Sequence, residues 1–588
     1  MVSSSGQGSG SSRSASSGRR GLSAPQGLAV AASHVGARPL SGEATRQPAD
    51  PSLPAVAAGR PRDRLRLVLA WLAAILIFVS VGIMVAVLIA GPSMAVVQMP
   101  RPAAGPPWWV SLNPSIPLVT FALWVAAGTG GLGIIAGLVA AAHGARVPAW
   151  GILAFAVLAV GALTVLPAGG STDVLSYAAN GRMAATGHSP YVMTPLELQQ
   201  SGDPIGQWIP SAWQTSVSVY GPVATAQEWA AAELGGTSMA RVTFWLKLMS
   251  SIAFGAVALM LDRVLRPDPA RRLRGHLLWT VNPLLLWEIV AGGHIDGVAA
   301  AFGLLGILML RTGRNGEKPA WWRFLLAGLV IGVAAAIKIP YAAFGLGVLW
   351  AGRRSVTAIL ASLAGFAAIF VPVYAAAGRP AISALITRGP GTTWDTMYQI
   401  FYRPFGYQTF TAFIMPPTLT LAAAIAVGVV ALLALLRFPD ATPSLPALSP
   451  ALALSLAWLF MWSYQRPWYD AMAICLLAIY PASRLDWLVL ARLILAAPVY
   501  FPGIPGNAPA WINYVITDEG IYASAYARLA VAVAFVVLCL FPHWRWLWGW
   551  WRPREGQPSG AGPALQPLVL SCRPGSFRRP RTARLRHP

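Results

Sequence analysis

Leu67-Val-Leu-Ala-Trp-Leu-Ala-Ala-Ile-Leu-Ile-Phe-Val-Ser-Val-Gly-Ile-Met-Val-Ala-Val-Leu-Ile-Ala90 runs for twenty-four residues without a charge. About 20 such residues, rising 1.5 Å each as a helix, cross the hydrocarbon core of a bilayer. Working outward, the same chemistry recurs at Pro117–Ala142, Trp150–Leu166, Val356–Ala377, Phe410–Leu436 and Ala523–Phe541. A segment surrounded by lipid must satisfy its own backbone hydrogen bonds, and runs of this length do so as helices rather than as barrel strands. The chain is therefore expected to be an all-α, polytopic integral membrane protein with about 12–14 transmembrane helices. The four segments between Leu277 and Trp350 are short, which points to kinked, paired or partly re-entrant pieces.

Composition agrees with this class. Of 588 residues, 56% are hydrophobic and 11% charged, against about 25% charged in soluble domains. The formal net charge of +23 does not indicate nucleic-acid binding, because the arginines concentrate in particular loops and in the two tails. Residues 1–64 are rich in Ser, Gly, Ala and Arg without apolar periodicity and read as a disordered basic tail. Residues 543–588, a Trp/Arg belt and a basic Pro-rich stretch, read the same way, leaving 65–542 as the transmembrane domain. Cys475, Cys539 and Cys572 show no CxxC spacing, so neither a disulfide framework nor a metal site is expected from them. Gly128-Thr-Gly-Gly-Leu-Gly133 matches a nucleotide-binding pattern only loosely and lies within an apolar run, where close helix packing is the better reading.

Cytoplasmic loops of membrane proteins carry an excess of Lys and Arg. One alternation puts Arg60–Arg66, Arg263–Arg274, Arg311–Arg323, Arg353–Arg354, Arg437 and Arg545–Arg554 on the cytoplasmic side, together with both termini. The same alternation gathers six polar stretches outside. They are the large loop 167–240, Gly292-Gly-His-Ile-Asp296, the region of Lys338, Gly378–Gln408, Ser463–Asp470 and Phe501–Gly520.

The large loop opens with Asp173-Val-Leu-Ser-Tyr177. A carboxylate at a low-dielectric boundary can have its pKa raised into the range of a general base; Asp173 can equally serve as a helix N-cap. Tyr177 follows four residues later, on the same helical face. Arginines outside oppose the charge bias, and Arg182, Arg388, Arg403 and Arg466 are candidates to hold an anionic headgroup, since guanidinium pairs bidentately with phosphate. Lys338, at the end of an apolar helix, is a further phosphate candidate, with snorkelling or pairing to Asp296 or Glu288 as alternatives. His294 and Asp296 have a spacing that permits metal ligation, but two residues make a weak site, and hydrogen bonding to a sugar or to Lys338 fits better. Trp208, Trp213, Tyr220, Trp394, Tyr398, Trp468 and Tyr469 can stack on a sugar or anchor at the interface.

Taken in order, Asp173-Val-x-Ser-Tyr177, Gly181, Gly187-x-x-Pro190-Tyr191, Trp213, Tyr220-Gly-Pro222, Asn282-Pro283-Leu-x-x-x-Glu288, His294-Ile-Asp296, Lys338 and Pro467-Trp-Tyr469 resemble the polyprenol-phosphomannose-dependent α-1,6-mannosyltransferases of actinobacteria, within the GT-C membrane glycosyltransferases. The resemblance runs from about Leu67 to Phe541. One departure is Ile295, where the family's turn reads His-Asn-Asp. The resemblance implies an active site on the outer face of a bacterial plasma membrane, a polyprenyl-phosphate sugar donor, and a glycan or glycolipid acceptor of the lipomannan type. By it, Asp173 would be the catalytic base, Lys338, Arg182, Arg388, Arg403 and Arg466 would bind the donor phosphate, and Tyr177, Tyr191, Tyr220, His294, Asp296, Trp468 and Tyr469 would bind sugar. No cofactor or metal is implied. A transporter or flippase of lipid-linked sugars is the rival reading; it would show inverted repeats and charges within spans, whereas the charges here gather at helix ends. A scaffold would leave the Asp173 loop without purpose.

Overall fold

A computed structural model of the chain describes residues 61–541, apart from 97, 314, 389–395, 403–416, 438–441, 443, 501–508 and 514–518. Residues 1–60 of the first tail, the whole second tail with Cys572, Arg403, Trp394 and most of the stretch 501–520 therefore lie outside the described residues. The apolar run that begins at Leu67 is the body of helix α1 (Pro61–Ala90), which reaches back into the segment expected as tail. It pairs with α2 (Ile116–Ala142). The glycine-rich stretch lies inside α2, where a Cβ on Gly133 would stand 3.2 Å from the Ile77 backbone nitrogen. Close packing is thus what these glycines permit.

Helix α3 (Ala149–Val165) leads into the large loop, which folds around α4 (Asp173–Ala185) and α5 (Pro222–Gly235). A capping box at Thr194 and Glu197 starts the short helix Pro195–Gln200 between them. Next come α6 (Met239–Leu265) and α7 (Pro269–Leu278), followed by a π-helical turn, Leu286–Ala291. The chain breaks at Gly292–Ile295 and turns by 115° into α8 (Asp296–Met309). Then follow α9 (Trp321–Ile337), α10 (Ala343–Gly352) and α11 (Val356–Arg388), the last interrupted at Gly378. The remaining helices are α12 (Pro417–Arg437), α13 (Leu448–Met461), α14 (Asp470–Leu477), α15 (Arg484–Tyr500) and α16 (Glu519–Leu540).

The architecture is all-α and polytopic, as composition requires. Among the described residues, five helices are long and apolar enough to cross a membrane, or six if the bent pair around Gly292 is one span. The other apolar runs form shorter helices: α3, α9, Ile339–Gly352, α13 and Ser524–Leu540. The short pieces expected between Leu277 and Trp350 are the bent pair, α9 and α10, separated where Gly293 (φ +68°) and Lys338 (φ −151°, ψ 115°) leave helical geometry.

The structure refines the charge pattern in two ways. Charges do not gather only at helix ends: Lys247 in α6, Arg492 in α15 and Arg528 in α16 are buried within apolar helices. Nor is Arg274 one of a plain basic cluster. It is buried, its guanidinium grips Asp486 through Nε (2.7 Å) and Nη2 (2.5 Å), and it donates to the carbonyls of Leu477, Ala478 and Tyr480. Those carbonyls lie at and just beyond the C-terminal end of α14, where helical acceptors lack partners. Arg492 pairs in the same way with Asp470 at the start of α14. Buried charges survive in an apolar setting only when paired and hydrogen-bonded, so these contacts fix both ends of one short helix.

Candidate active site

The site is built on the first turn of α4. Asp173 is the first helical residue, one past the Thr172 cap position, so it is not the N-cap. Its backbone N–H donates to Ser171 Oγ at 3.1 Å, and a negative charge there is favoured by the helix dipole. The residue is half-buried. Burial raises its carboxyl above the ordinary range, against the opposing pull of Arg466, Lys338 and Ser171. This leaves a half-buried aspartate whose carboxyl is raised by burial and flanked electrostatically by two cations, the kind of environment that marks a candidate functional carboxylate.

Tyr177 lies one turn along the same face and is fully buried. Its ring meets Tyr220 edge-on, with centroids 4.9 Å apart at 88°. The Tyr220-Gly221-Pro222 turn is fastened to the end of α9: Gly221 N donates to Ile337 O at 3.0 Å, and a Cβ on Gly221 would stand 2.0 Å from Ala336 O. Tyr191 supports this turn from behind, its hydroxyl lying 3.1 Å from Tyr220 O and 2.8 Å from Thr225 Oγ1. The loop is thereby delivered next to Lys338.

Lys338 projects from the end of α9 into the break between α7 and α8. Its ammonium donates to both oxygens of Asp296, at 2.9 and 2.8 Å, and lies 3.7 Å above the Tyr469 ring. Tyr341 Oη donates to Asp296 O at 3.0 Å and holds the start of α8. In the break, His294 Nδ1 bonds the Glu288 carbonyl, which places the ring proton on Nδ1 and leaves Nε2 an acceptor. The imidazole stacks on Trp468 at 3.8 Å and 13°. Arg466 lies over Tyr464 and Trp468, at 5.4 and 6.0 Å. Breaks and π-turns in a span mark places where irregular backbone lines a site.

The structure thus brings together Asp173, Tyr177, Tyr220, His294, Asp296, Lys338, Arg466, Trp468 and Tyr469. Tyr191 stands behind them. Arg182 is held by Asp203, Nε to Oδ2 at 2.7 Å. Arg388 ends α11 with its side chain outside the described residues, as is all of Arg403. Among the described residues, no three His, Cys, Asp or Glu side chains cluster as a metal site would require.

Sequence reasoning passed over two buried ionisable groups beside this site. Glu228, on α5, is fully buried with neither carboxylate oxygen hydrogen-bonded; burial pushes its carboxyl well up, with Asn180 opposing. Lys247 lies in α6. A lone charge inside an apolar run was the available signal for Lys247; for Glu228, in a polar loop, there was none.

Residues 79–353 match the family model described as Alpha-(1->6)-mannopyranosyltransferase, N-terminal domain. This segment is similar to that family's N-terminal domain. An alpha-(1->6)-mannopyranosyltransferase B of Corynebacterium glutamicum is 29% identical over 180 residues, covering 28% of this chain and 29% of that protein. A probable alpha-(1->6)-mannopyranosyltransferase of Mycolicibacterium smegmatis is 24% identical over 241 residues, or 37% and 43% of the two chains. One from Mycobacterium tuberculosis is 25% identical over 168 residues, 27% and 28%. The chain thus spans less than half the length of these relatives. The matched segment carries Asp173, Tyr220, His294, Asp296 and Lys338; Arg466, Trp468 and Tyr469 lie beyond it.

Proposed function

We propose that the protein is a membrane mannosyltransferase. It transfers mannose from a polyprenyl-phosphate donor to a hydroxyl of a glycan or glycolipid on the extracytoplasmic side of a bacterial plasma membrane, with both termini cytoplasmic. The observation that carries this reading is half-buried Asp173, its carboxyl raised by burial and held under the electrostatic influence of Arg466 and Lys338, in a segment that matches the alpha-(1->6)-mannopyranosyltransferase family model.

In this reading Asp173 takes the proton of the acceptor hydroxyl. The oxygen bonds to the anomeric carbon as the bond from that carbon to the phosphate oxygen breaks, with inversion, and polyprenyl phosphate leaves. Negative charge grows on the departing phosphate, where fixed cations stabilise the transition state more than the ground state. Arg466 and Lys338 supply them. The aromatic walls of Tyr177, Tyr220, Trp468 and Tyr469 suit the apolar face of a sugar, and His294 Nε2 offers an acceptor for a hydroxyl.

The test is transfer in lipid-reconstituted full-length protein with polyprenyl-phosphomannose and a short α-mannoside. Wild type should transfer, and Asp173→Asn should lose a factor of about 10²–10⁴ while unfolding at the same temperature. No transfer by wild type with bound donor would sink the choice of sugar or acceptor.

A further inference from the structure

We infer that Lys247 is a positioning residue that holds the Asp173 segment and the His294–Asp296 turn in register. A charge buried in an apolar helix is expensive and is retained for a reason. Lys247 is fully buried in α6, and its ammonium donates to Leu163 O (2.6 Å), Leu166 O (2.6 Å) and Pro167 O (3.0 Å). These bonds use all three of its donors. The acceptors are the last carbonyls of α3 and the first of the strap beyond, at the negative end of that helix's dipole.

From Pro167 the strap needs six residues to reach Asp173, and it is pinned along the way. Gly169 N donates to Ala291 O at 3.2 Å, and Gly170 N to Ala95 O at 2.8 Å. The other flank of the same lysine touches the second segment. A Cβ on Gly293 would stand 2.9 Å from Lys247 Cγ, and Gly293 holds a φ of +68° that favours glycine. Gly293 directly precedes His294, which leads into Asp296 and hence Lys338. One side chain therefore touches both the strap that carries the base and the turn that carries the partner of the cation. Neither contact involves a substrate.

The consequence is geometric. A misplacement of about 1 Å between reacting groups can cost about a hundredfold in rate, while the donor still finds its phosphate contacts. The inference rests on the proposed transfer reaction, so its test has one arm that needs no transfer. In the full-length protein, Lys247→Met should lower kcat by about 10- to 100-fold with the donor KM within about twofold of wild type. Lys247→Arg, which keeps charge and donors, should recover the larger part. The transfer-free arm is the rate at which a hydrophobic carbodiimide labels Asp173, read by mass spectrometry with Asp173→Asn as the blank and Asp203 as internal standard. That rate should change severalfold in Lys247→Met. The inference is overturned if activity merely follows the folded fraction and Asp173 labelling is unchanged. Absence of transfer in wild type with an altered labelling rate would sink the proposed function and leave the positioning role standing.

Discussion

Lys338 binds both carboxylate oxygens of Asp296, at 2.9 and 2.8 Å, across 42 residues of sequence. This pair joins the end of α9 to the start of α8 in the break of a bent span. It also sets the lysine over the Tyr469 ring, so three separate parts of the chain meet at one ammonium.

Breaking that pair leaves a buried charge alone, which costs about 3–5 kcal/mol. Lys338→Met and Asp296→Asn should each lower the unfolding temperature in detergent. The double substitution removes both charges and should restore much of the loss. A double-mutant cycle on thermal unfolding checks this; additive losses would show that the pair does not hold the break together. Lys338→Met should also weaken use of the phosphate-linked donor more than use of the acceptor.

In the proposed reaction Asp173 accepts a proton only when ionised, so transfer should fall as pH drops through its raised pKa. Arg466 is the largest influence pulling that pKa down. Arg466→Gln should therefore move the acid limb of the kcat/KM profile to higher pH. A limb that stayed in place or moved lower would count against Asp173 as the titrating base.

Glu228 gives a stability signature of opposite sense to a salt-bridged acid. Its folded pKa lies well above the ordinary glutamate value because of burial. Between those two values the folded state holds a proton that the unfolded state has released, so stability falls as pH rises. Glu228→Gln should flatten this slope and match or exceed wild-type stability at neutral pH. Unfolding temperatures across pH 5 to 8 would show a wild-type slope equal to the variant's if the carboxyl were ionised when folded.

Gly181 brings α4 against α5. A Cβ there would lie 2.1 Å from the Glu228 backbone oxygen, a clash with main chain that no rotamer can relieve. Gly181→Ala should cost about 1–3 kcal/mol and lower kcat, since the displaced helix carries Asp173 and Tyr177. Unfolding temperature and transfer rate measured together check both parts.

Much of the site could be named from sequence because its members stand in short, distinctive runs: Asp173 to Tyr177, His294 to Asp296, Arg466 to Tyr469. Tyr191 and Arg182 stand in such runs too, yet one supports the Tyr220 turn and the other is occupied by Asp203. Proximity in sequence placed them near the site without giving their orientation.

What the sequence determined by itself was the class of fold. Helix formation by a long apolar run is a local necessity, since each segment in lipid must satisfy its own backbone. Even the interruptions at Gly292–Gly293 and Lys338–Pro340 could be read from residue type. Only the tertiary structure decided which charges meet. Arg274 finds Asp486 at 212 positions' distance, Lys247 finds the end of α3 at 84, and Lys338 takes Asp296. A charge in an apolar medium must be paired or hydrogen-bonded, but which partner does so depends on how the helices pack, and no local pattern records that.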